Sequence, residues 1–262
     1  MRTETITSAS NPKVKNLLLL QEKSRARREQ GLFMVEGRRE LEHCLEGGFT
    51  VRTVFYCPEI AGTESPSRGL GKCLFIEIPE QLYRKLAYRD STEGIIAEVE
   101  YKSLTLKDLQ LPEHPLVVVL EAVEKPGNLG AVLRSADAAG ADAVLFCDPL
   151  TDLYNPNLIR ASIGAVFTVP TVAVSSEEAI AFLKERGIQI LTAQLQDSSL
   201  YYDVDMRRGT ALVMGTESTG LTDAWRAAAD AHIRIPMLGR LDSLNVSVSA
   251  AILLYEAVRQ RH

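Results

Sequence analysis

Residues 116–140, LVVVLEAVEKPGNLGAVLRSADAAG, decide the fold. The run LVVVLEAV (116–123) is apolar almost throughout, as strands buried on both faces are. GNLGAVLRSADAAG (127–140) follows as a helix closed by Gly140. A strand covered on both faces, followed at once by a helix, is the repeating unit of a parallel α/β sheet.

The same alternation continues outward. Downstream come ADAVLF (141–146), LIRASIGAVF (158–167), EEAIAFLKERG (177–187), IQILTAQ (188–194) and TALVMGTE (210–217). DAWRAAADA (223–231), HIRIP (232–236) and SLNVSVSAAILLYEAVRQR (243–261) complete a mostly parallel sheet with helices on both faces. Upstream, residues 101–114, YKSLTLKDLQLPEH, have no strong period and read as a linker. Before it, Asn11-Pro12 opens a helix reaching about residue 21. LFMVEG (32–37), GRRELEHCLEGG (37–48), VRTVFYC (51–57), CLFIEI (73–78), PEQLYRKLA (79–87) and GIIAEVE (94–100) then describe a small α/β domain. The expected division is a domain over 1–100, a linker over 101–114 and a second domain over 115–262.

With 46% apolar and 24% charged residues in 262, the chain has the composition of a globular protein with a real core. Its apolar runs fall well short of the ~18 residues of a membrane span, and no secretory leader precedes them, so a cytoplasmic protein without membrane contact is expected. Cys44, Cys57, Cys73 and Cys147 form no C-x-x-C pair, and His43, His114, His232 and His262 lack the close spacing of ligands. Neither a disulfide framework nor a metal site is expected. The net charge of −5 argues against a protein that coats nucleic acid, yet residues 1–30 carry seven basic side chains against three acidic. Within them KSRARRE (23–29) reads either as a solvated helix face or as a phosphate contact.

Three motifs stand out. PGNLG (126–130) is a glycine-rich strand-to-helix turn of the kind that lets backbone N–H groups approach an anion. It fits neither the dinucleotide fingerprint nor the P-loop. Arg134 lies four residues after Gly130, on the face of the turn or in an i,i+3 pair with Asp137. VMGTESTGL (213–221) sets Glu217 between glycines at the carboxyl end of a strand, where open α/β sheets bind ligands, unless it is a plain turn. IPMLGRLDSLNVSVSAAILLYEAV (235–258) brings Ser243 and Asn245 to a helix start, where Ser243 also reads as an N-cap.

In this order and spacing, the three motifs resemble those of the SpoU (TrmH-type) RNA ribose methyltransferases of the SPOUT class, over residues 117–260. ITSASNPKVK, FMVEGRRELEHCLE and EGIIAEV resemble the ribosomal-protein-like substrate-binding domain that often precedes them. The resemblance implies a deep trefoil knot around 191–194, 213–221 and 235–248, a homodimer, and S-adenosylmethionine held by largely backbone contacts. It places Gly215, Ile235 and Leu244 on the cofactor, with Met237, Gly239 and Val246 nearby and Thr192 and Ala193 beside them. The position after Glu217 is often glycine in the family and is Ser218 here.

The implied reaction is methylation of a ribose 2′-hydroxyl, with ribosomal RNA favoured over tRNA. Arg134 matches the family's proposed general base; because a guanidinium has a pKa above ~12, gripping a phosphate and polarising the hydroxyl is the physically cheaper role. Asn128, Glu217, Ser243 and Asn245 match the other polar catalytic positions. Glu217 is expected to orient Arg134 or accept from the ribose, and the two asparagines to hold the nucleotide. RNA contacts are expected at Lys13, Lys15, Arg25, Arg27, Arg28, Arg38 and Arg160. A non-catalytic RNA-binding or ribosome-assembly protein on the same fold is the alternative in another class.

Overall fold

The computed structural model describes residues 2–62, 70–88 and 93–262. It divides into two compact units, Met1–Lys102 with Tyr154–Thr168, and Ser103–Leu153 with Val169–His262. The first unit contains β1 (Arg2–Thr5), α1 (Pro12–Glu22), α2 (Ser24–Gln30), β2 (Leu32–Glu36), α3 (Arg38–Glu46), β3 (Val51–Tyr56), α4 (Pro58–Ala61), β4 (Leu74–Glu77), α5 (Glu80–Leu86) and β5 (Ile95–Glu100). Its sheet runs β1-β4-β3-β5-β2, parallel from β1 to β3 and antiparallel where β5 meets β3 and β2. Asn11 caps α1 through its side chain, with Pro12 in the first turn, as its sequence dictates.

The second unit holds β6 (Leu116–Glu121), α6 (Pro126–Ala138) and β7 (Ala143–Cys147). The chain then forms α7 (Pro156–Ser162) and α8 (Ala165–Thr168), which belong to the first unit. It continues in the second with β8 (Thr171–Val174), α9 (Ser176–Glu185), β9 (Gln189–Ala193), β10 (Ser199–Leu200), β11 (Thr210–Met214), α10 (Asp223–Ala228), β12 (Ala231–Arg234) and α11 (Val246–Arg261). The seven strands, ordered β10-β12-β9-β11-β6-β7-β8, are parallel throughout. Every residue of β6, β7 and β11 is buried, as the apolar run at 116–120 requires. Trp225 of α10 is fully buried in the same core cluster as Val117, Val119, Ile190 and Val213.

Two segments part from the sequence expectation. Residues 103–114 are no free tether: Leu109 is buried with the core of the second unit, and Leu104, Leu106 and Leu111 pack on it. Residues 154–168 leave the C-terminal unit because their aromatic rings find partners in the first. Phe33 stacks on Tyr154 at 4.2 Å between ring centres, with Phe167 at 5.9 Å and the edges of Phe49 and Tyr101 at 6.0 and 5.7 Å. Such pairs add about 0.5–1.5 kcal/mol each beyond the area they bury.

Candidate active site

Parallel strands put their carboxyl ends on one side of the sheet, and β9, β11 and β12 end there at Ala193, Met214 and Arg234. The segments that follow them enclose a cavity of about 360 Å³. Its wall combines apolar Met214, Leu221, Ile233, Ile235, Leu244 and Leu253 with polar Gln194, Glu217, Arg226 and Ser243. The size falls within the ~300–1,000 Å³ of small-molecule sites.

The loop after β11 has its shape fixed by close approach. A Cβ on Gly215 would lie 2.2 Å from the Gly220 carbonyl oxygen, and Thr216 and Gly220 bond to each other's backbone. Gly220 takes the left-handed conformation at φ 69, whereas Ser218 does not adopt a positive φ. The serine that replaces the family's frequent glycine therefore strains nothing.

Glu217, at the loop's tip, is the hub of a polar cluster. Its Oε1 accepts from Asn245 Nδ2 at 2.7 Å and Asn128 Nδ2 at 3.1 Å, and its Oε2 from Lys125 Nζ at 3.0 Å. Asn245 Nδ2 is also 3.2 Å from Asn128 Oδ1. Asn245 N-caps α11, its Oδ1 accepting from the Ser247 N–H at 3.0 Å and hydroxyl at 2.6 Å. Lys125 precedes Pro126 at the start of α6, so the cluster joins the first turns of α6 and α11 to the β11 loop. The Lys125 ammonium foremost, with the Val246 N–H and the Asn128 amide, holds the Glu217 carboxyl below the usual carboxylate range.

The three sequence motifs thus meet. The amide groups of Asn128 and Asn245 are turned onto Glu217 and each other. Arg134 is exposed on α6, outside the cavity wall, and its guanidinium has no hydrogen-bond or ion-pair partner among the described residues; Asp137 is not its partner. Ser243 lines the cavity and donates to Asp242 at 3.2 Å. Of the expected cofactor positions, Ala193, Gly215, Ile235, Met237, Leu244 and Val246 line the cavity. Thr192 is fully buried with its Oγ1 2.6 Å from His232 Nδ1, and Gly239 lies off the wall.

Among the basic residues, Arg27 corrects its expectation. It is 1% exposed and donates to the Leu20 and Gln21 carbonyl oxygens at 2.7 and 3.2 Å, so it ties α2 to the end of α1 instead of facing a ligand. Arg25 pairs with Glu29, Lys13 with Glu4, and Arg38 donates to the Ala61 carbonyl. Lys15 and Arg28 are exposed, and Arg160, also exposed, lies 5.5 Å over the Tyr88 ring. No group of three or more metal-ligating side chains gathers among the described residues, and no helix there is long and apolar enough to cross a membrane.

Lys125, Gln194 and Arg226 are the residues that sequence reading missed. Lys125 sat beside the first motif, immediately before its proline, and carried that signal only. Gln194 Oε1 and Arg226 Nε are buried without a partner and belong to residues of the cavity wall. No pattern in the sequence pointed to either.

Comparison with known proteins places this geometry in a lineage. Residues 115–255 match the model of the SpoU rRNA Methylase family, and residues 11–97 that of the MRM3-like substrate binding domain. The chain is 31% identical to the Bacillus subtilis 23S rRNA (guanosine(2553)-2'-O)-methyltransferase RlmP, over 95% of this chain and 97% of that protein. It is 32% identical to the Streptomyces viridochromogenes 23S rRNA (uridine(2479)-2'-O)-methyltransferase, over 90% and 85%. The solved structure of an AdoMet-bound rRNA methyltransferase from Sinorhizobium meliloti superposes with a TM-score of 0.89 at 31% identity, covering 98% of both chains.

Proposed function

The chain belongs to the SpoU rRNA methylase family, and from that premise we propose that it methylates a ribose 2′-hydroxyl of ribosomal RNA, using S-adenosylmethionine as donor. The observation that carries this reading is the meeting of three distant segments, around Asn128, Glu217 and Asn245, at the rim of one cavity of about 360 Å³. The wall suits the cofactor: apolar Met214, Ile233, Ile235 and Leu244 fit an adenosyl group, and the unpartnered Gln194 Oε1 and Arg226 Nε call for a ligand with both donors and acceptors. When bound, S-adenosylmethionine supplies a methyl group activated on a sulfonium.

The protein's own part is to position the acceptor and manage one proton. Arg134 has its guanidinium exposed and, among the described residues, uncommitted. It grips a phosphate beside the acceptor and polarises the hydroxyl. Glu217, held ionised by three donors, is a poor proton acceptor near neutral pH and serves as the clamp that fixes Asn128, Asn245 and the loop wall. Ser243, on the wall, is left to contact the nucleotide. Holding two reactants in register supplies up to roughly 7–11 kcal/mol of a barrier in favourable cases.

The same reading gives the first unit, with exposed Lys15, Arg28 and Arg160, the task of holding RNA. It includes a trefoil knot through the segments after β9, β11 and β12, supported by the likeness to family structures, and a homodimer, supported by exposed Val248 and Tyr255 on α11. A cytoplasmic location follows from a ribosomal substrate. Calorimetric titration with S-adenosylmethionine is the direct test: one site per chain is expected, weakened strongly in Gly215→Ala, whose new methyl collides with Gly220. A chain that binds no cofactor would contradict the reading.

A further inference from the structure

We propose that Lys125 is a positioning residue whose ammonium neutralises Glu217, so that an RNA strand can approach the rim of the cavity. This rests on the methyltransferase reading above. Both Glu217 oxygens are occupied, but the two asparagine amides bring no charge, and Lys125 Nζ at 3.0 Å is the cation on the carboxylate. The Glu217 side chain remains 36% exposed, so without Lys125 a full negative charge would face an incoming phosphodiester. The Lys125 side chain is 72% exposed, which makes the pair solvent-facing and leaves its worth to stability small.

The other groups around Glu217 do not take over this task. The first turn of α11 has no acidic residue and offers Glu217 an amide and a backbone N–H. The loop itself contributes uncharged Thr216, Ser218 and Thr219. Elsewhere on the wall, Arg226 faces Asp223 at 3.7 Å, Arg234 donates to Ser198 at 3.3 Å, and Asp242 takes Ser243. Arg134 makes no ion pair or hydrogen bond with the carboxylate, so Lys125 is the counter-charge of Glu217 by geometry. A lysine at the first-motif turn thereby corrects the charge of the second motif.

The test measures affinity for a protein-free 23S ribosomal RNA transcript at low salt, with S-adenosylmethionine binding measured in parallel. Lys125→Met is expected to bind RNA about fivefold more weakly at pH 7.5, roughly what one charge pair about 4 Å apart is worth in water. Affinity should recover as the pH is lowered to about 4.5, because the unpaired carboxylate returns to its ordinary range and protonates. It should also recover in Lys125→Met/Glu217→Gln, and Lys125→Arg should bind as wild type does. Unchanged affinity in Lys125→Met overturns the proposal. So does a loss that persists in the double variant and at low pH, since Lys125 would then be gripping the RNA itself. If the wild-type chain binds neither cofactor nor RNA, the methyltransferase reading fails and takes this inference with it, a result separable from failure of Lys125 alone.

Discussion

Two carboxylates at the same end of the second unit's sheet behave in opposite ways. Glu121, at the end of β6, is 4% exposed and accepts from the Thr222 N–H at 2.9 Å and hydroxyl at 2.6 Å, with Ser176 Oγ at 3.4 Å. Ser176 in turn receives the Trp225 indole N–H at 2.9 Å, so this region anchors the start of α10 to the core. Glu217 has equally good donors but lies open to solvent and carries a lysine. Hydrogen bonding alone does not distinguish the two. Burial does, because a sealed group can act only on its neighbours, whereas an open one also sets the charge that a substrate meets.

Replacing each should break the pair apart. Glu121→Ala removes the charged acceptor of the Thr222 N–H and hydroxyl, two charge-assisted bonds, and is expected to cost about 3 kcal/mol, read as a Tm lower by roughly 6–12 °C, with cofactor affinity of the folded protein retained. Glu217→Ala should do the reverse, lowering methyl transfer about a hundredfold, near 2.7 kcal/mol, while Tm stays close to wild type. Equal stability losses in both variants would show that exposure does not separate them.

Buried and exposed arginines sharpen the same contrast in the first unit. Arg27→Met should lose about 2 kcal/mol of stability through the Leu20 and Gln21 carbonyls and leave RNA affinity of the folded protein alone. Arg28→Ala, one residue along, should leave the melt unchanged and reduce the salt dependence of RNA binding by about one phosphate contact. In Asn245→Ala, loss of the α11 cap costs about 1 kcal/mol in a denaturant melt, with a partial loss of transfer from loosening Glu217.

Much of this was written in the chain. The buried run at 116–120, the helix from Pro126 and the three motifs led to the parallel sheet and to the residues that meet at its carboxyl edge, because periodicity and glycine placement are local properties. What escaped depends on long-range pairing. Apolar spacing in residues 158–167 marks them as buried but does not say in which core, and the stack of Tyr154 on Phe33 decided it. A run of arginines reads as solvated until one of them, Arg27, finds two helix-end carbonyls. Nor does anything in the sequence show that Glu217, some 28 and 89 residues away, holds the amides of Asn245 and Asn128.

The most direct test of the central claim is transfer of labelled methyl from S-adenosylmethionine to separated ribosomal RNA and tRNA from cells lacking the gene, with Arg134→Ala beside the wild type. The account predicts label in an alkali-resistant dinucleotide from ribosomal RNA, lost in Arg134→Ala although that variant still binds cofactor. Label released by alkali as ordinary mononucleotides would place the methyl on a base and contradict the ribose assignment.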